Sequence, residues 1–399
     1  MIMVVDIIVG GVDDLGYREY SDDTLLVHDE HDDRHQGAVT FPVYQNSLFT
    51  FSTVEDYEKA REQLVDSYLY TRGNNPTVKI LEERIAALEQ GEQARCFASG
   101  MAAISSAILS TIQSGDHIIC VDQAYGPTRE FLSEYLKKFN ILTSFVNGSS
   151  MEEIKRAAQP NTKLIYLESP TSLLFELQDI HACVSFAKEI EAKTIIDNSW
   201  STPIYQKPLL MGVDLVVHSL TKYMSGHSDV VAGVVVGNKE LITNINKNEH
   251  LLLGGILSPQ NASLILRGMR TLAIRMEQHQ KSAFEIAKFL EEQPFIERVH
   301  FPGLPTNPFH SLAKKQMSGF GSLLSFETNL SYELVREMVN SLKMFRVGVS
   351  WGGYESLVTL HRKNDSNTQV VRLYIGLENP EDIKEDLKAA FQVLVKEQV

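Results

Sequence analysis

Residues 194–236 contain two short apolar runs, and each is followed by a polar side chain suited to catalysis. Both runs, at 194–196 and 215–217, are rich in β-branched residues and bounded by polar ones, which predicts two buried strands. The first run ends in Asp197, and the second leads to Lys222. Because chemistry in an open α/β sheet gathers at the carboxyl ends of the strands, this segment predicts an α/β fold with a site at that edge.

An acid and a lysine at two strand ends suit a cofactor that has a pyridine ring and an aldehyde. The amine of Lys222 can form a Schiff base with the aldehyde, and Asp197 can pair with the ring nitrogen. The hydroxyls of Ser219 and Thr221 are then available for a phosphate. A single lysine in a loop is more commonly a solvent-exposed residue, so this interpretation depends on the rest of the chain.

Composition limits the classes of partner. The chain has 399 residues, 43% of them hydrophobic, which is enough for a full core and predicts two domains. Its formal net charge of −14 disfavours nucleic acid and anionic membranes, because the chain has no general basic field. No apolar run is long enough to span a bilayer. We therefore expect a small-molecule substrate, with no nucleic-acid or membrane partner.

The three cysteines and the N-terminus predict a cytoplasmic protein. Cys96, Cys120 and Cys183 fall inside apolar stretches, which is typical of core packing in a reducing compartment. Residues 1–22 include Asp6 and lack a basic region before their apolar residues, so they do not resemble a signal peptide. We treat them as an N-terminal extension.

A histidine-rich acidic segment follows this extension. His28, His31 and His35 have a spacing that would place three imidazoles on one helical face, as a metal site requires. A solvated acidic segment explains the same pattern with fewer assumptions. We predict no metal site.

Strand and helix patterns alternate from residue 75 onward. Asn75 and Pro76 predict the start of a helix, and Gly91 predicts its end. A strand at 94–98 then runs through Gly100 into a helix of small residues, a turn at which phosphate can bind. The βαβα order that follows predicts a mostly parallel sheet covered on both faces. Past about residue 250, two helices, shorter strands and a closing helix predict a second α+β domain.

Several motifs in this order resemble the Cys/Met-metabolism family of pyridoxal-phosphate enzymes, the transsulfuration enzymes. The resemblance extends from about Asp23 to the C-terminus and occurs in the segments YTRGNNPT (70–77), SGMAA (99–103), YGPT (125–128), ESP (168–170), DNSWSTP (197–203), SLTKY (219–223), GHSD (226–229), ESL (355–357), and RL with GLE (372–378). It implies a fold-type I, aspartate-aminotransferase-like α/β enzyme with a smaller C-terminal α+β domain. It implies an extension at 1–22, an arm at 23–70 that reaches the neighbouring subunit, a cofactor domain at 71–255 and a C-terminal domain at 256–399.

The resemblance also implies the cofactor and catalytic residues. The cofactor would be pyridoxal 5'-phosphate, held by Lys222, which would also move the α-proton of the substrate. Asp197 would pair with the protonated ring nitrogen, which keeps the ring an electron sink. Tyr125 would stack on the ring and exchange a proton with the leaving group.

Further contacts are implied for the phosphate and the substrate. The phosphate would be bound by the backbone N–H groups of Gly100 and Met101, by Ser219 and Thr221, and by Tyr70 and Arg72 of the neighbouring subunit. The active sites would then be shared within a homodimer, and we expect a homotetramer. Arg372 would hold the α-carboxylate of an amino-acid substrate as a bidentate fork, and Val349, Ser350 and Trp351 would line the substrate site.

Departures from the common family pattern bear on the reaction. Trp351 resembles bacterial cystathionine β-lyases, whereas γ-acting members usually have leucine there and many have glutamate in place of Val349. Ser172 also matches the β-lyases, since γ-type enzymes generally have asparagine at that position. The TRGNNP segment at 71–76, by contrast, looks more like the γ-acting form. The short stretch between Leu357 and Arg372 lacks the usual proline-rich turn.

We therefore predict a pyridoxal-phosphate-dependent carbon–sulfur β-lyase. It would cleave L-cystathionine or another cysteine S-conjugate to a thiol, pyruvate and ammonia. The alternative is γ-chemistry on the same scaffold, as in cystathionine γ-lyase, cystathionine γ-synthase or methionine γ-lyase. A cofactor-binding regulatory protein is a further alternative, and the presence of Lys222, Asp197, Tyr125 and Arg372 together argues against it.

Overall fold

The fold consists of two β-sheets with helices packed against them. The structure is a computed structural model that describes residues 20–28, 37–63, 67–363 and 367–396. The predictions for residues 1–19 and for His31 and His35 lie outside the described residues. No helix in the described part of the chain is long and apolar enough to cross a membrane.

The first sheet has seven strands and carries the predicted site at its edge. Its strands are β1 Gln93–Phe97, β2 His117–Val121, β3 Leu142–Val146, β4 Thr162–Glu168, β5 Lys193–Asp197, β6 Leu215–Ser219 and β7 Gly233–Gly237. They lie in the order β1-β7-β6-β5-β4-β2-β3. Strand β7 is antiparallel to both of its neighbours, and the other pairs are parallel. The predicted mostly parallel sheet is confirmed.

The second sheet is smaller and largely antiparallel, as the prediction of an α+β domain requires. Its strands are β8 Arg298–His300, β9 Leu323–Thr328, β10 Arg346–Val347, β11 Leu357–Arg362 and β12 Gln369–Tyr374. They lie in the order β10-β11-β12-β9-β8, and only β10 and β11 are parallel among the described strands of this sheet. The predicted domain boundaries remain predictions.

Helices cover both sheets. They are α1 Asp22–Val27, α2 Val54–Glu62, α3 Pro76–Glu89, α4 Gly100–Leu109, α5 Gly126–Glu130, α6 Met151–Ala157, α7 Ile180–Glu189, α8 Thr202–Tyr205, α9 Lys239–Ile245, α10 Leu251–Leu253, α11 Pro259–Met269, α12 Leu272–Glu291, α13 His310–Gln316, α14 Tyr332–Ser341 and α15 Pro380–Lys396. Helix α5 is followed directly by one π-helical turn, Phe131–Tyr135, and one 3₁₀ turn, Leu136–Phe139.

Helix α3 begins at the residues that the sequence predicts, but Gln90 and not Gly91 adopts the left-handed conformation that ends it. The side chain of Asn75 accepts a hydrogen bond from the N–H of Thr77 at 3.0 Å. The left-handed residue at the other end is Gln90, with φ of 59°. A Cβ on Gly91 would lie 2.6 Å from Cγ1 of Val236. Gly91 is therefore required by close packing of α3 against β7, and not by a left-handed turn.

Candidate active site

Three adjacent strands bring polar residues to one edge of the first sheet. Glu168 at the end of β4 pairs in register with Asp197 at the end of β5, and Asp197 pairs with Val217 of β6. Strand β6 ends at Ser219, three residues before Lys222. The strands are parallel, so their carboxyl ends meet here, as the sequence predicts.

Asp197 is a partly buried acid. Its Oδ1 accepts a hydrogen bond from the N–H of Ser199 at 2.9 Å. Burial raises the pKa of Asp197, while the hydrogen bonds from Ser199 oppose that rise. Ser199 also links Asp197 to the next strand, because its Oγ accepts from the N–H of Ser219 at 2.7 Å. A cationic ligand, such as a protonated pyridine nitrogen, would stabilise the ionised form of this acid.

The amine of Lys222 is held by residues from the second domain. Its Nζ donates to Oγ of Ser350 at 2.7 Å and lies 5.2 Å from the ring centroid of Trp351. Burial, followed by the positive charge of Arg372, lowers the pKa of Lys222 to about 8. About a tenth of the amine is therefore neutral at pH 7, roughly two hundred times more than for an ordinary lysine with a pKa of about 10.4, and the neutral form is the one that reacts with an aldehyde.

Tyr125 lies close enough to Asp197 and Arg372 for their charges to affect its phenol. Burial, and then the negative charge of Asp197, raises the pKa of the Tyr125 phenol. The phenol is therefore protonated at neutral pH, and 44% of the residue remains exposed for contact with a ligand. A proton donor in this position suits protonation of a leaving group.

Glu168 is a site residue to which the sequence analysis gave no role. It accepts a hydrogen bond from the N–H of Tyr125 at 2.7 Å and another from the hydroxyl of Ser172. Burial and the neighbouring Asp197 raise the pKa of Glu168. Its position at the end of a predicted strand was the available signal. The hydroxyl of Ser172 is thereby directed at Glu168.

The N-terminus of α4 offers backbone N–H groups that can bind a phosphate. Oγ of Ser99 accepts from the N–H of Ala102 at 3.0 Å, which caps the helix. The helix itself offers no acceptor to the N–H groups of Gly100 and Met101, so these are available to an anion. A Cβ on Gly100 would lie 3.3 Å from Oγ of Ser219. The absence of that Cβ leaves room between helix and strand end.

Thr221 has its hydroxyl occupied within the chain. The Thr221 hydroxyl donates to the carbonyl of Ala232 at 3.2 Å and accepts from the N–H of the same residue at 3.0 Å. To donate to a phosphate, this hydroxyl would have to leave the Ala232 carbonyl. Its predicted phosphate contact stays a prediction.

Arg372 comes to the site from β12 of the second sheet. Its Nη2 donates to the carbonyl of Val349 at 3.1 Å, and its charge affects the pKa of both Lys222 and Tyr125. Burial lowers the pKa of Arg372 itself. The remaining N–H groups of the guanidinium can form a bidentate pair with a carboxylate. The side chain of Val349 is 88% exposed.

Tyr70 and Arg72 stand apart from these residues. The guanidinium of Arg72 lies 5.8 Å from the ring centroid of Tyr70, and both side chains are exposed. No hydrogen bond, ion pair or ring contact among the described residues joins either of them to Lys222. Within one chain they are therefore presented outward.

These residues fit a phosphorylated pyridine aldehyde. The partly buried acid Asp197 lacks a directly paired cation among the described ion pairs, and the amine of Lys222 has a lowered pKa. The N–H groups of Gly100 and Met101 lie in the first turn of a capped helix, where they have no acceptor within the helix. The acid would pair with the ring nitrogen of such a group, the amine with its aldehyde, and the N–H groups at the start of α4 with its phosphate.

Comparisons with known proteins agree with this arrangement. A model of the family described as "Cys/Met metabolism PLP-dependent enzyme" matches residues 23–392. The chain is 40% identical over 374 residues to an L-methionine γ-lyase of Fusobacterium nucleatum subsp. polymorphum, covering 89% of this chain and 94% of that protein. It is 39% identical over 374 residues to a cystathionine β-lyase of Lactococcus lactis subsp. cremoris, covering 90% and 96%. The crystal structure of metB from Corynebacterium glutamicum superposes with a TM-score of 0.89 at 34% identity, covering 95% and 99%.

Proposed function

Because this chain belongs to the Cys/Met-metabolism family of pyridoxal-phosphate-dependent enzymes, we propose that it is a carbon–sulfur β-lyase. It would act on L-cystathionine or another cysteine S-conjugate. The products would be a thiol, pyruvate and ammonia. Asp197, Lys222, Tyr125 and Arg372 are the residues on which the proposal rests.

Arg372 and Lys222 would act on the amino-acid end of the substrate. The guanidinium of Arg372 would bind the α-carboxylate, which fixes the Cα–H bond relative to Lys222. The neutral amine of Lys222 would then remove the α-proton. When bound, pyridoxal phosphate supplies the electron sink for the charge left at Cα, and the carboxylate of Asp197 would keep its ring nitrogen protonated.

Tyr125 would act at the sulfur. The Cβ–S bond breaks with its electron pair going to sulfur, and the phenol of Tyr125 can donate the proton that converts the thiolate to a thiol. The raised pKa of this phenol keeps that proton in place at neutral pH. Uptake of one water then gives pyruvate and ammonia. Glu168 would hold Tyr125 in position through its backbone N–H.

The single observation that carries the β-lyase proposal is the position of Trp351. Its ring lies 5.2 Å from Nζ of Lys222 and packs edge to face on Tyr223 with ring centroids 5.4 Å apart. β-Elimination requires a base only at Cα, whereas γ-elimination requires the base to reach Cβ as well. An indole packed beside the amine limits the movement of Lys222 toward Cβ, which favours the β-reaction.

Methionine γ-lyase activity is the second candidate. The observation that favours it is the uncharged side chain of Val349, which is 88% exposed beside Ser350. A valine cannot pair with the distal ammonium of cystathionine, but it suits an S-methyl group. The similarity to a protein named L-methionine γ-lyase supports the same candidate.

The keto acid formed by purified holoenzyme distinguishes the two candidates. L-Cystathionine, an S-alkyl cysteine and L-methionine should be supplied separately, and pyruvate and 2-oxobutyrate measured. The proposal expects pyruvate from L-cystathionine or the S-alkyl cysteine. Formation of 2-oxobutyrate from L-methionine, without pyruvate from the other two, would replace it with the γ-lyase. If none of these substrates is turned over, the remaining alternative is a cofactor-binding regulatory protein.

We also propose that two copies of the chain complete each active site, and that these dimers pair into a homotetramer. Exposed apolar side chains support a docking face. Leu48, which forms an isolated β-bridge with Tyr70, is 53% exposed, and Leu252 is 77% exposed. The exposed side chains of Tyr70 and Arg72 would reach the phosphate bound at the start of α4 in the partner subunit.

Complementation tests this arrangement. Lys222→Ala and Arg72→Ala chains, each poorly active alone, should regain up to about a quarter of wild-type activity when they are co-expressed, because a mixed dimer holds one intact site. Activity no higher than the sum of the separate variants would rule out shared sites. Sedimentation of the wild-type protein gives the number of subunits.

A further inference from the structure

A buried polar cluster lies directly behind the site residues. It joins the end of α3 to three strand ends of the first sheet, and its members are Glu89, Ser169, Asn198, Gln206 and His218. Each of them is at most 2% exposed. We call this set the strand-end cluster.

Glu89 is the centre of the cluster. Its Oε1 lies 3.1 Å from Nε2 of His218 and accepts from Nδ2 of Asn198 at 3.0 Å. A carboxylate from α3 therefore binds one residue on β6 and one residue directly after β5. His218 precedes Ser219, and Asn198 follows Asp197, so each contact is one residue from a proposed cofactor contact.

Gln206 extends the cluster to the third strand end. Its Nε2 donates to Oδ1 of Asn198 at 3.0 Å and to the carbonyl of Ser169 at 2.8 Å. The carbonyl of Gln206 accepts from Nδ2 of Asn198 at 2.9 Å. Ser169 directly follows Glu168, which holds the backbone of Tyr125. These hydrogen bonds thus link the ends of β4, β5 and β6 to one another through residues adjacent to the proposed cofactor contacts.

Stability alone is a weak explanation for such a cluster. A buried acid–histidine pair loses the hydration of both groups, and well-packed apolar residues of similar size are often equally stabilising. Oε2 of Glu89, Oε1 of Gln206 and Nδ1 of His218 are also buried without a hydrogen-bond partner among the described residues, which adds to that cost. The bonds that the cluster does form link three strand ends and restrict their relative geometry. The cluster is also coupled to the site electrostatically, since a positive charge on His218 lowers the pKa of Asp197.

We infer that the strand-end cluster is a positioning device, in which Glu89 holds Asp197 and Ser219 at the spacing that the cofactor ring and phosphate require. Its residues touch neither substrate nor cofactor and act through their neighbours. The inference rests on the proposed cofactor contacts of Asp197 and Ser219. It does not depend on which carbon–sulfur bond the enzyme cleaves.

The test compares Glu89 with a matched acid–histidine pair elsewhere. Glu327 of β9 lies 2.9 Å from Nε2 of His300 and is 8% exposed, against 0% for Glu89, and its Oε1 also accepts from Nζ of Lys363 at 3.0 Å. It lies in the second sheet, and none of its described contacts is with a proposed cofactor residue. Glu89→Ala, Glu89→Gln and Glu327→Ala should be purified as holoenzyme. Pyridoxal phosphate affinity of the stripped protein, circular dichroism of the bound cofactor, and the Tm of the apoprotein are then measured.

Glu89→Ala should weaken pyridoxal phosphate binding by about tenfold or more, equivalent to about 1.4 kcal/mol, and should change the circular dichroism of the bound cofactor. Glu327→Ala should lower Tm and leave both cofactor readouts unchanged. Should Glu89→Ala fail to fold, Glu89→Gln, which keeps the shape and one acceptor, should change the circular dichroism in the same direction.

Two results would overturn the inference. One is a normal cofactor affinity and circular dichroism in both Glu89 variants, with only a lower Tm. The other is an equal loss of affinity in Glu327→Ala. Asp197→Ala separates this failure from a failure of the proposed site: if that variant also binds the cofactor normally, the proposed contact itself is wrong.

Discussion

Replacing Arg372 by alanine tests the substrate contact that the second sheet supplies. Arg372 is half-buried and has one N–H on the carbonyl of Val349, which leaves its other donors for the α-carboxylate. Removing one partner of a buried, hydrogen-bonded charge pair costs about 2–4 kcal/mol. At about 1.4 kcal/mol for each factor of ten, kcat/KM should fall roughly 30- to 1,000-fold.

The loss should fall mainly on KM, because the carboxylate is bound in both the ground state and the transition state. Steady-state release of keto acid measures both constants, and the absorbance of bound cofactor shows that the site is still formed. Arg362→Ala is the matched control, since Arg362 lies on the neighbouring strand β11, is exposed, and stacks on Tyr332 with its guanidinium 4.9 Å from the ring centroid. It should leave both constants unchanged.

An unchanged KM in the Arg372→Ala variant would refute the reasoning, because the carboxylate would then be held elsewhere. Arg372→Lys tests whether charge alone is sufficient for binding the carboxylate. Lysine keeps the charge but cannot form the bidentate pair, so most of the loss should remain. Full recovery in the lysine variant would mean that charge alone, and not the fork geometry, determines binding.

Three further predictions concern the first domain. Lys222→Ala should abolish turnover and remove the absorbance of lysine-bound cofactor, and surviving lyase activity would contradict the assignment. Asp197→Asn should retain the cofactor yet slow α-proton removal roughly 10²-fold, measured as the loss of the α-hydrogen isotope label; a normal rate would mean that the ring nitrogen has another partner. Because the pKa of Lys222 in the free chain is lowered to about 8 and its neutral form is the base, kcat/KM should fall as pH drops below about 8. A flat pH–rate profile on the acid side would exclude Lys222 as the base that limits the rate.

Local patterns in the sequence were sufficient for much of the first sheet. The β-branched runs that became β5 and β6, the strand at 94–98 that became β1, and the Asn75 cap of α3 all depend on neighbours in the chain. The π turn at Phe131–Tyr135 and the 3₁₀ turn at Leu136–Phe139 follow from no such local pattern.

The chemistry of the site was predictable where a residue type has few other uses. A lysine and an acid at strand ends suggested the cofactor, and ordered motifs identified the family that residues 23–392 match. The choice between β- and γ-elimination was not predictable in the same way. Our proposal for that choice rests on how the indole of Trp351 packs beside Lys222, across an interval of more than a hundred residues.

The sequence by itself determined the alternation of strands and helices, the cofactor class and the family, because hydrophobic period, caps and motifs are local properties of the chain. Only the tertiary structure decided that Glu168 holds Tyr125, that the hydroxyl of Thr221 is engaged by Ala232, and that Glu89 ties β5 to β6. These contacts join residues distant in sequence or depend on the direction of a single hydroxyl. They follow from how the packed sheet aligns its strand ends, which no local pattern encodes.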